Sequence, residues 1–463
     1  MFPRWLVYVI FVHGILSTAN TILEAMLNAV SVPLQSFFNE SIHEHYGIVL
    51  DSQGMSLVIS FMPNLVLAGF FVALFVIPQM DIRGRRFVSV YIRSASVILT
   101  ALFYVLSKYC NSIEFYCVAQ FLLGFVQPLK MIVVKIYLAE CFPDCYRAFV
   151  PHAIGSCIIF ANLFSTVLYH PSMFGSAEAW QFVPMMCVGM EVLYFCLAAW
   201  LPESPKWLMD AGRPEEAIEA IRFYHGHDEN VGTNHLHLDF DKILYLAKVM
   251  AEIQEEIKLS SHGRMGLTEV YRNRTFRSVF VLIFMALLTS TLSMVIITQS
   301  YTQQLLLEFG YSIDNVFLFT GILQAGSIPL LFLNPYLYER LGRRPMFLFS
   351  SFCSLLNIFL FYFAQIAVDF NGRATELSLI LASLGMVFNS LAASSGLVAG
   401  FVVFISDLLP PGAKVSVTQF LSSLNMFIEI PAIFLFGNLL TSVGSWTFVP
   451  FCVLQVDGQH ETA

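Results

Sequence analysis

The sequence predicts an all-α membrane protein made of two six-helix bundles, with the twelfth helix truncated. Three observations carry that prediction: a composition no soluble domain has, a row of apolar runs of helix length, and loops of the first half that return in the second. Of 463 residues only 12% are charged, 57% are apolar and 45 are Phe, and the mean hydropathy is +0.71. Ordinary soluble domains carry roughly 25% charged residues, which excludes a disordered chain, a collagen, a disulfide scaffold and a nucleic-acid binder. The net charge of −8 says little about partners, because in a bilayer what matters is the side on which each charge lies. Nine Cys, an odd number, fall mostly inside apolar runs (Cys117, Cys157, Cys187, Cys196, Cys353). The one close pair, Cys141 and Cys145, has neither framework nor metal-site spacing. All read as packing residues, and neither metal nor cofactor is expected.

A spanning helix needs about 20 mainly apolar residues. The start, MFPRWLVYVIFVHGIL, has one Arg, then an apolar run and no small-residue cleavage signature, so it reads as a retained first span rather than a signal peptide. Runs at 5–34, 54–78, 87–107, 113–138, 147–169 and 180–200 give six spans, and runs at 277–306, 314–337, 344–367, 377–406 and 413–440 give five more. Between the sets, 201–276 holds PEEAIEAIRFY and DKILYLAKVMAEIQEEIKL, whose apolar residues recur at helical spacing, the pattern of amphipathic helices lying along one membrane face. The last run, 446–455, is about half the required length and runs into VDGQHETA. The expected division is therefore a bundle over 1–200, a linker over 201–276 and a second bundle over 277–463 with an incomplete last helix.

Placing the linker in the cytoplasm puts 20 of the 24 Lys and Arg on that side, Arg4, Arg83, Arg93 and Arg147 among them. Long loops escape the positive-inside rule, but the short loops at 79–86, 339–344 and 408–414 vote the same way. Both termini and the linker then face the cytoplasm of what we expect to be the plasma membrane, the truncated span leaving the C-terminus open. Asn39-Glu40-Ser41 becomes a glycosylation acceptor in an outer loop, and Asn273-Arg274-Thr275 an inert inner sequon.

The loop after the second run reads DIRGRR (Asp81 to Arg86) and that after the eighth ERLGRR (Glu339 to Arg344). The loop after the fourth reads ECFPDCYR (Glu140 to Arg147) and that after the tenth DLLPPGAK (Asp407 to Lys414). Acid, turn and base recur about 260 residues apart, as in a duplicated six-helix unit, an architecture of transporters that rock one half against the other. With PESPKWL at Pro202 to Leu208 added, these motifs make the chain resemble the sugar-porter branch of the major facilitator superfamily, which includes the facilitative glucose transporters. The resemblance implies transport by alternating access, and a cytoplasmic gate of Asp81, Gly84, Arg85, Arg86, Glu140, Arg147 and Glu203 in the first half. Its counterpart in the second half is Glu339, Arg340, Gly342, Arg343, Arg344, Asp407 and Lys414, with acids and bases pairing across the halves when the site faces outward.

At the sugar-contacting positions the chain departs from that family. The seventh-span QQLSGIN reads STLSMVI here, so the two Gln positions are Ser290 and Thr291 and the Asn position is Ile296. The fifth-span Gln position is Gly155, the eighth-span Asn position is Ser327, and LVAGFV (Leu397 to Val402) replaces PGPIPW, whereas Asn425 matches. Lost amides leave hexose hydroxyls unpaired at about 1–3 kcal/mol each, so glucose is expected to be a poor substrate. Charges inside apolar runs are functional candidates: Glu24, Lys130, Glu191 and Glu429, with Lys135 snorkelling to the inner face. Glu24 and Lys130 either bind solute or pair with each other. Glu24 is also where a proton would be carried. Gln120 stands where the family has an Arg, and Gln299, Tyr301, Gln303 and Gln304 line the seventh span or its outer gate. His13 and His152 read as packing residues. The expected solute site is Glu24, Lys130, Ser290, Thr291, Gln299 and Asn425. Two functions stand: a transporter of a small polar or organic solute, sugar-like by resemblance, with lipid, solute and protons as its partners, or a solute sensor that keeps the transporter fold. No HExxH, GxSxG or phosphate loop supports an enzyme.

Overall fold

The computed structural model describes residues 4–143, 149–225, 247–255, 271–272, 274–397, 404, 408 and 411–452. Regular structure within them is helical throughout, as lipid demands of a chain whose backbone groups must find partners inside their own segment. Eleven apolar helices succeed one another among the described residues. The first six are α1 (Trp5–Ala29), α2 (Ser52–Leu74), α3 (Phe87–Tyr109), α4 (Ile113–Cys141), α5 (Phe149–Leu168) and α6 (Phe182–Ala198). The other five are α7 (Phe276–Glu308), α8 (Ile313–Leu341), α9 (Arg343–Asn371), α10 (Glu376–Ser394) and α11 (Pro411–Val443). Among the described residues nine helices are long and apolar enough to cross a membrane, while Cys157–Leu168 and Phe182–Ala198 are shorter apolar helices. The protein is a multi-pass membrane protein. We call the end that carries Asp81 to Arg86 the basic end and its opposite the far end.

Helix starts are set by local chemistry. The Asp51 carboxylate accepts from the Gly54 amide at 2.7 Å, Ser112 from the Phe115 amide at 3.4 Å, and Thr375 forms a capping box with Ser378, each satisfying a donor the first turn leaves free. The duplication reaches the backbone: Gly84, between α2 and α3, has φ 108° and ψ 154°, and Gly342, between α8 and α9, has φ 89° and ψ 163°. Only glycine takes this conformation without strain, and a Cβ at Gly84 would also meet the Glu203 carboxylate.

In the first group α3 packs on α4 and α6, and α2 on α4; in the second α9 packs on α10. The α2–α4 crossing is backbone to backbone, since a Cβ at Gly69 would run into Phe121 and Phe125, and one at Gly124 into Val66. Small residues let lipid-embedded helices approach in this way. The groups meet through α2 with α11, α5 with α8 and α1 with α7. Hydrogen bonds between them run from the Asn28 amide to the Gln299 carbonyl, from Ser31 to Gln303 (2.8 Å), from Ser56 to the Gly437 carbonyl (3.3 Å) and from Thr166 to Gln324 (3.0 Å). Each lies toward the far end.

Four helices are irregular. A π-helical turn occupies Phe11–Ile15 in α1, another opens α3 at Phe87–Ile92, and a third, Leu129–Val133, follows Pro128 in α4. The α7 helix breaks after Thr291, resumes at Met294 and kinks at Tyr301 (φ −126°, ψ 16°).

Two expectations need correction. The stretch Phe37 to Gly47 is not a loop: a helix, Ser31–Tyr46, runs through it and stops at Gly47 with φ 68°, and the buried Phe37 and Phe38 press it against Tyr116 and Trp180. Arg93, counted above with the basic-face residues, is fully buried within α3. At the other end of the chain, Gly444–Phe448 forms a 3-10 turn whose Phe448 packs on Phe436 at 5.6 Å, and residues 453–463 lie outside the described residues.

Candidate solute site and gate

At the basic end the turn between α2 and α3 is held by carboxylates. Arg85 grips Glu140 of α4 with Nε at 3.0 Å and Nη2 at 3.4 Å, while its Nη1 reaches Asp81 at 3.1 Å. Ser204 donates to the same Glu140 at 2.6 Å. Glu203 accepts the Arg86 and Ser204 amides at 2.8 and 2.9 Å, and burial raises its carboxyl above the usual range. PESPKWL thus works as a clamp: Glu203 sits beneath Gly84, Arg86 Nη1 reaches the Leu201 carbonyl at 2.7 Å, and Trp207 Nε1 donates to the Asp81 carbonyl at 2.9 Å. Behind it the helix Pro214–His225 sends Tyr224 to the Tyr137 hydroxyl (2.7 Å) and the Pro202 carbonyl (2.9 Å). These contacts stay within one group of helices. Of the other predicted gate residues, Arg147 and Asp407 lie outside the described residues, Glu339, Arg343 and Lys414 lie on described helices without described side chains, and Gly342 is the backbone twin of Gly84. Arg340 lies over the Tyr336 ring at 4.9 Å, and Arg344 is exposed in the first turn of α9.

Between the groups, Thr21, Glu24 and Asn28 share one face of α1, three and four residues apart. Thr21 takes a hydrogen bond from the Lys130 ammonium of α4, and Asn28 reaches α7, so Glu24, exposed between them, points into the gap that α1, α4 and α7 enclose. No ion pair joins Glu24 to Lys130 among the described residues. The π-helical turn in α4 carries Lys130, and such turns are frequent at functional sites. On the opposite wall the Thr291 hydroxyl lies against the Asn425 side chain, whose amide donates to Glu429 at 2.7 Å. Ser290 is buried and spends its hydroxyl on the Leu287 carbonyl at 2.9 Å. Gln299 offers α1 its carbonyl and leaves its side chain exposed. Of the six predicted solute-site residues, then, Glu24, Lys130 and Gln299 gather around α1, whereas Thr291 and Asn425 join Glu429 at the α7 break.

Sequence reasoning missed a third cluster. Arg93 Nη2 donates to Glu191 Oε1 at 2.8 Å, and both side chains are 0% exposed. The guanidinium stacks over the Tyr194 ring at 4.3 Å, and the Tyr194 hydroxyl lies 3.2 Å from His13 Nδ1. This removes Glu191 from the wall of the gap and ties it to α3. The signal was present, since one acid and one base stand in the sixth and third apolar runs, but a positive-inside count assigns Arg93 to a face before asking for its partner.

The family model described as "Sugar (and other) transporter" matches residues 9–457. Among curated proteins the chain is similar to the sugar transporter ERD6-like 2 of Arabidopsis thaliana (22% identical over 338 residues, 71% of this chain and 66% of that one). It is similar also to the facilitated glucose transporter member 5 of Ovis aries (23% over 323 residues, 69% and 61%). The matched part thus spans less than two thirds of the length of these relatives. Its fold is similar to that of the major facilitator superfamily proton:xylose symporter XylE bound to 6-bromo-6-deoxy-D-glucose, with a TM-score of 0.72 at 15% identity over 98% of this chain and 94% of that one. It is similar also to the partially occluded inward-open form of XylE from E. coli (TM-score 0.70, 14% identity, 98% and 96%). On the family match across nearly its whole length, this chain belongs to the sugar (and other) transporter family.

Proposed function

We propose that this chain is a transmembrane transporter that moves a small polar or organic solute by alternating access, without covalent chemistry. The observation that carries the reading is the distribution of contacts between its two groups of helices. Among the described residues, hydrogen bonds join them toward the far end, at Asn28, Ser31, Ser56 and Thr166, while the Arg85–Glu140 network at the basic end stays inside one group. That pattern fits a carrier closed on one side and open on the other. The moving bodies are the bundles within 1–200 and 277–463, with 201–276 as linker. The basic end faces the cytoplasm, the far end faces outward at the plasma membrane, and Asn39 is a glycan acceptor. A hexose would meet hydroxyls already engaged by their own helix at Ser290 and a site without the family's amides, so glucose is a poor fit. Protons enter the reading through one residue, Glu24, which is exposed and in no ion pair among the described residues.

Substrate-dependent counterflow in reconstituted vesicles, run over a broad solute panel with and without a proton gradient, tests the whole. Counterflow of at least one solute is expected; its absence across the panel would leave a sensor that keeps the transporter fold. Within that assay Glu140→Gln, which weakens the Arg85 pair at the gate, should change the ratio of influx to efflux severalfold. Equal loss of both rates with normal folding would argue against a gate.

A further inference from the structure

We propose that the gap between α1, α4 and α7 binds a zwitterion, a solute carrying a carboxylate and an ammonium, with Lys130 and Glu24 as its two poles; this deepens the transporter reading and rests on it. Thr21, Glu24 and Asn28 are stacked on one face of α1, and the partners of the outer two define what the face looks at: Lys130 of α4 below, Gln299 of α7 above. Glu24 stands between with no hydrogen bond or ion pair to any described residue, exposed to the gap. Lys130 spends one of its three N–H donors on the Thr21 hydroxyl and is only partly exposed. Thus the Lys130 ammonium, held at Thr21, and the Glu24 carboxylate three residues on, about 4.5 Å further along the α1 axis, are near enough to feel each other's charge yet form no ion pair among the described residues.

Unpaired opposite charges within membrane-spanning helices are costly, and a ligand that brings the complementary pair satisfies both at once. A carboxylate on Lys130 and an ammonium on Glu24 is that arrangement. Other solute classes are rejected by the same charges: a simple anion suits Lys130 but is repelled by Glu24, a simple cation the reverse, and a neutral polyol must compete with water for both heads. Discrimination of this kind rests as much on the repulsive contact as on the attractive one. The opposite wall fits the assignment. α1 and α7 both run from the basic end, so one turn below the Asn28–Gln299 contact Glu24 is level with Val295 and Ile296, and Thr21 with the break before Met294. At that level α7 carries no charged residue: Val295 is buried in the core of its own group and the helix is interrupted just before Met294.

The test uses the full-length protein in liposomes and reads both thermal shift and counterflow. The probes are the common α-amino acids in small pools, glycine betaine, the methyl ester of leucine as cation, 4-methylpentanoate as anion, and xylose as neutral polyol. At least one zwitterion pool is expected to stabilise the protein and support counterflow, while ester, anion and xylose do neither. Lys130→Met and Glu24→Gln should each raise the half-saturating concentration of that zwitterion at least tenfold with the unliganded melting temperature retained. Lys130→Arg, which keeps the charge, should restore binding, and this holds the proposal falsifiable if the Met variant fails to fold. The charge-exchanged pair E24K/K130E should recover part of the loss, because a zwitterion can bind reversed. Preference for xylose, or zwitterion binding indifferent to both substitutions, overturns the assignment. Xylose counterflow without any zwitterion response sinks the zwitterion alone and leaves the transporter standing; no counterflow with any probe sinks the transporter reading itself.

Discussion

Arg93 and Glu191 carry opposite charges into a place with no water, and each is tolerable there only because of the other. Removing one partner of such a pair typically costs about 3–5 kcal/mol, whereas replacing both with apolar groups is often close to neutral. Glu191→Leu should therefore lower the unfolding free energy in detergent by about 3–5 kcal/mol, and adding Arg93→Leu should recover a good part of it. A double variant as unstable as the single would mean that the cation over Tyr194 or the His13 contact, and not the pair, is what stabilises the cluster. At this scale the sequence was half legible. Glu24 and Lys130 stood out as charges in apolar runs, and Lys130 meets α1 at Thr21, one turn from Glu24. Arg93 did not, because burial and pairing are properties of two helices at once and no single run reports them. Ser290 could be located by counting, but its hydroxyl turning to its own backbone could not.

The helices themselves were readable from runs of apolar residues: each of the eleven expected spans overlaps a described apolar helix, nine of them long enough to cross a membrane. Their irregularities were not. A π-helical turn holds one residue more than the α-helical turn it replaces, so past each one the faces of the helix shift by about 100° relative to an unbroken count. α1, α3 and α4 each contain one, which is why carrying positions across without gaps predicts which residue exists at a depth better than where it points. The break in α7 has the same standing: STLSMVI contains no Pro or Gly to announce it. What the sequence does announce is close packing, through glycine. Gly124 of α4 faces the Val66 backbone of α2, so Gly124→Ala should cost about 1–3 kcal/mol and lower the yield of folded protein, while the same change at Gly189, which has open space around it, should leave stability and yield unaltered. Equal effects at the two sites would remove the crossing as the reason.

For the whole molecule, duplication was the most legible feature: the two GRR loops were matched by letters alone, and their glycines share one backbone conformation. How the groups of helices lean on each other was illegible, because the Asn28, Ser31, Gln299 and Gln303 contacts involve ordinary polar residues 271 and 272 positions apart. They make a direct prediction. Asn28→Ala combined with Gln303→Ala removes two of the bonds that close the far end, and should increase the reactivity toward an impermeant maleimide of a cysteine introduced at Glu24 in a background without other reactive cysteines. Unchanged labelling would place the closure in α2 with α11 and α5 with α8 instead.

The buried pair also bears on how the protein responds to voltage. A lone charge crossing a membrane held at 100 mV exchanges about 2.3 kcal/mol with the field. Arg93 and Glu191 sit 2.8 Å apart on two helices of one group and travel as a dipole, while Glu24 and Lys130, nearby on α1 and α4, add no net charge. In the proposed rocking of this group these four charges together carry no net charge through the field, so voltage dependence is not expected to arise from them. Glu429 on α11, with Asn425 beside it, and Glu308 at the far end of α7 are among the described charges of the second group on which a potential has purchase.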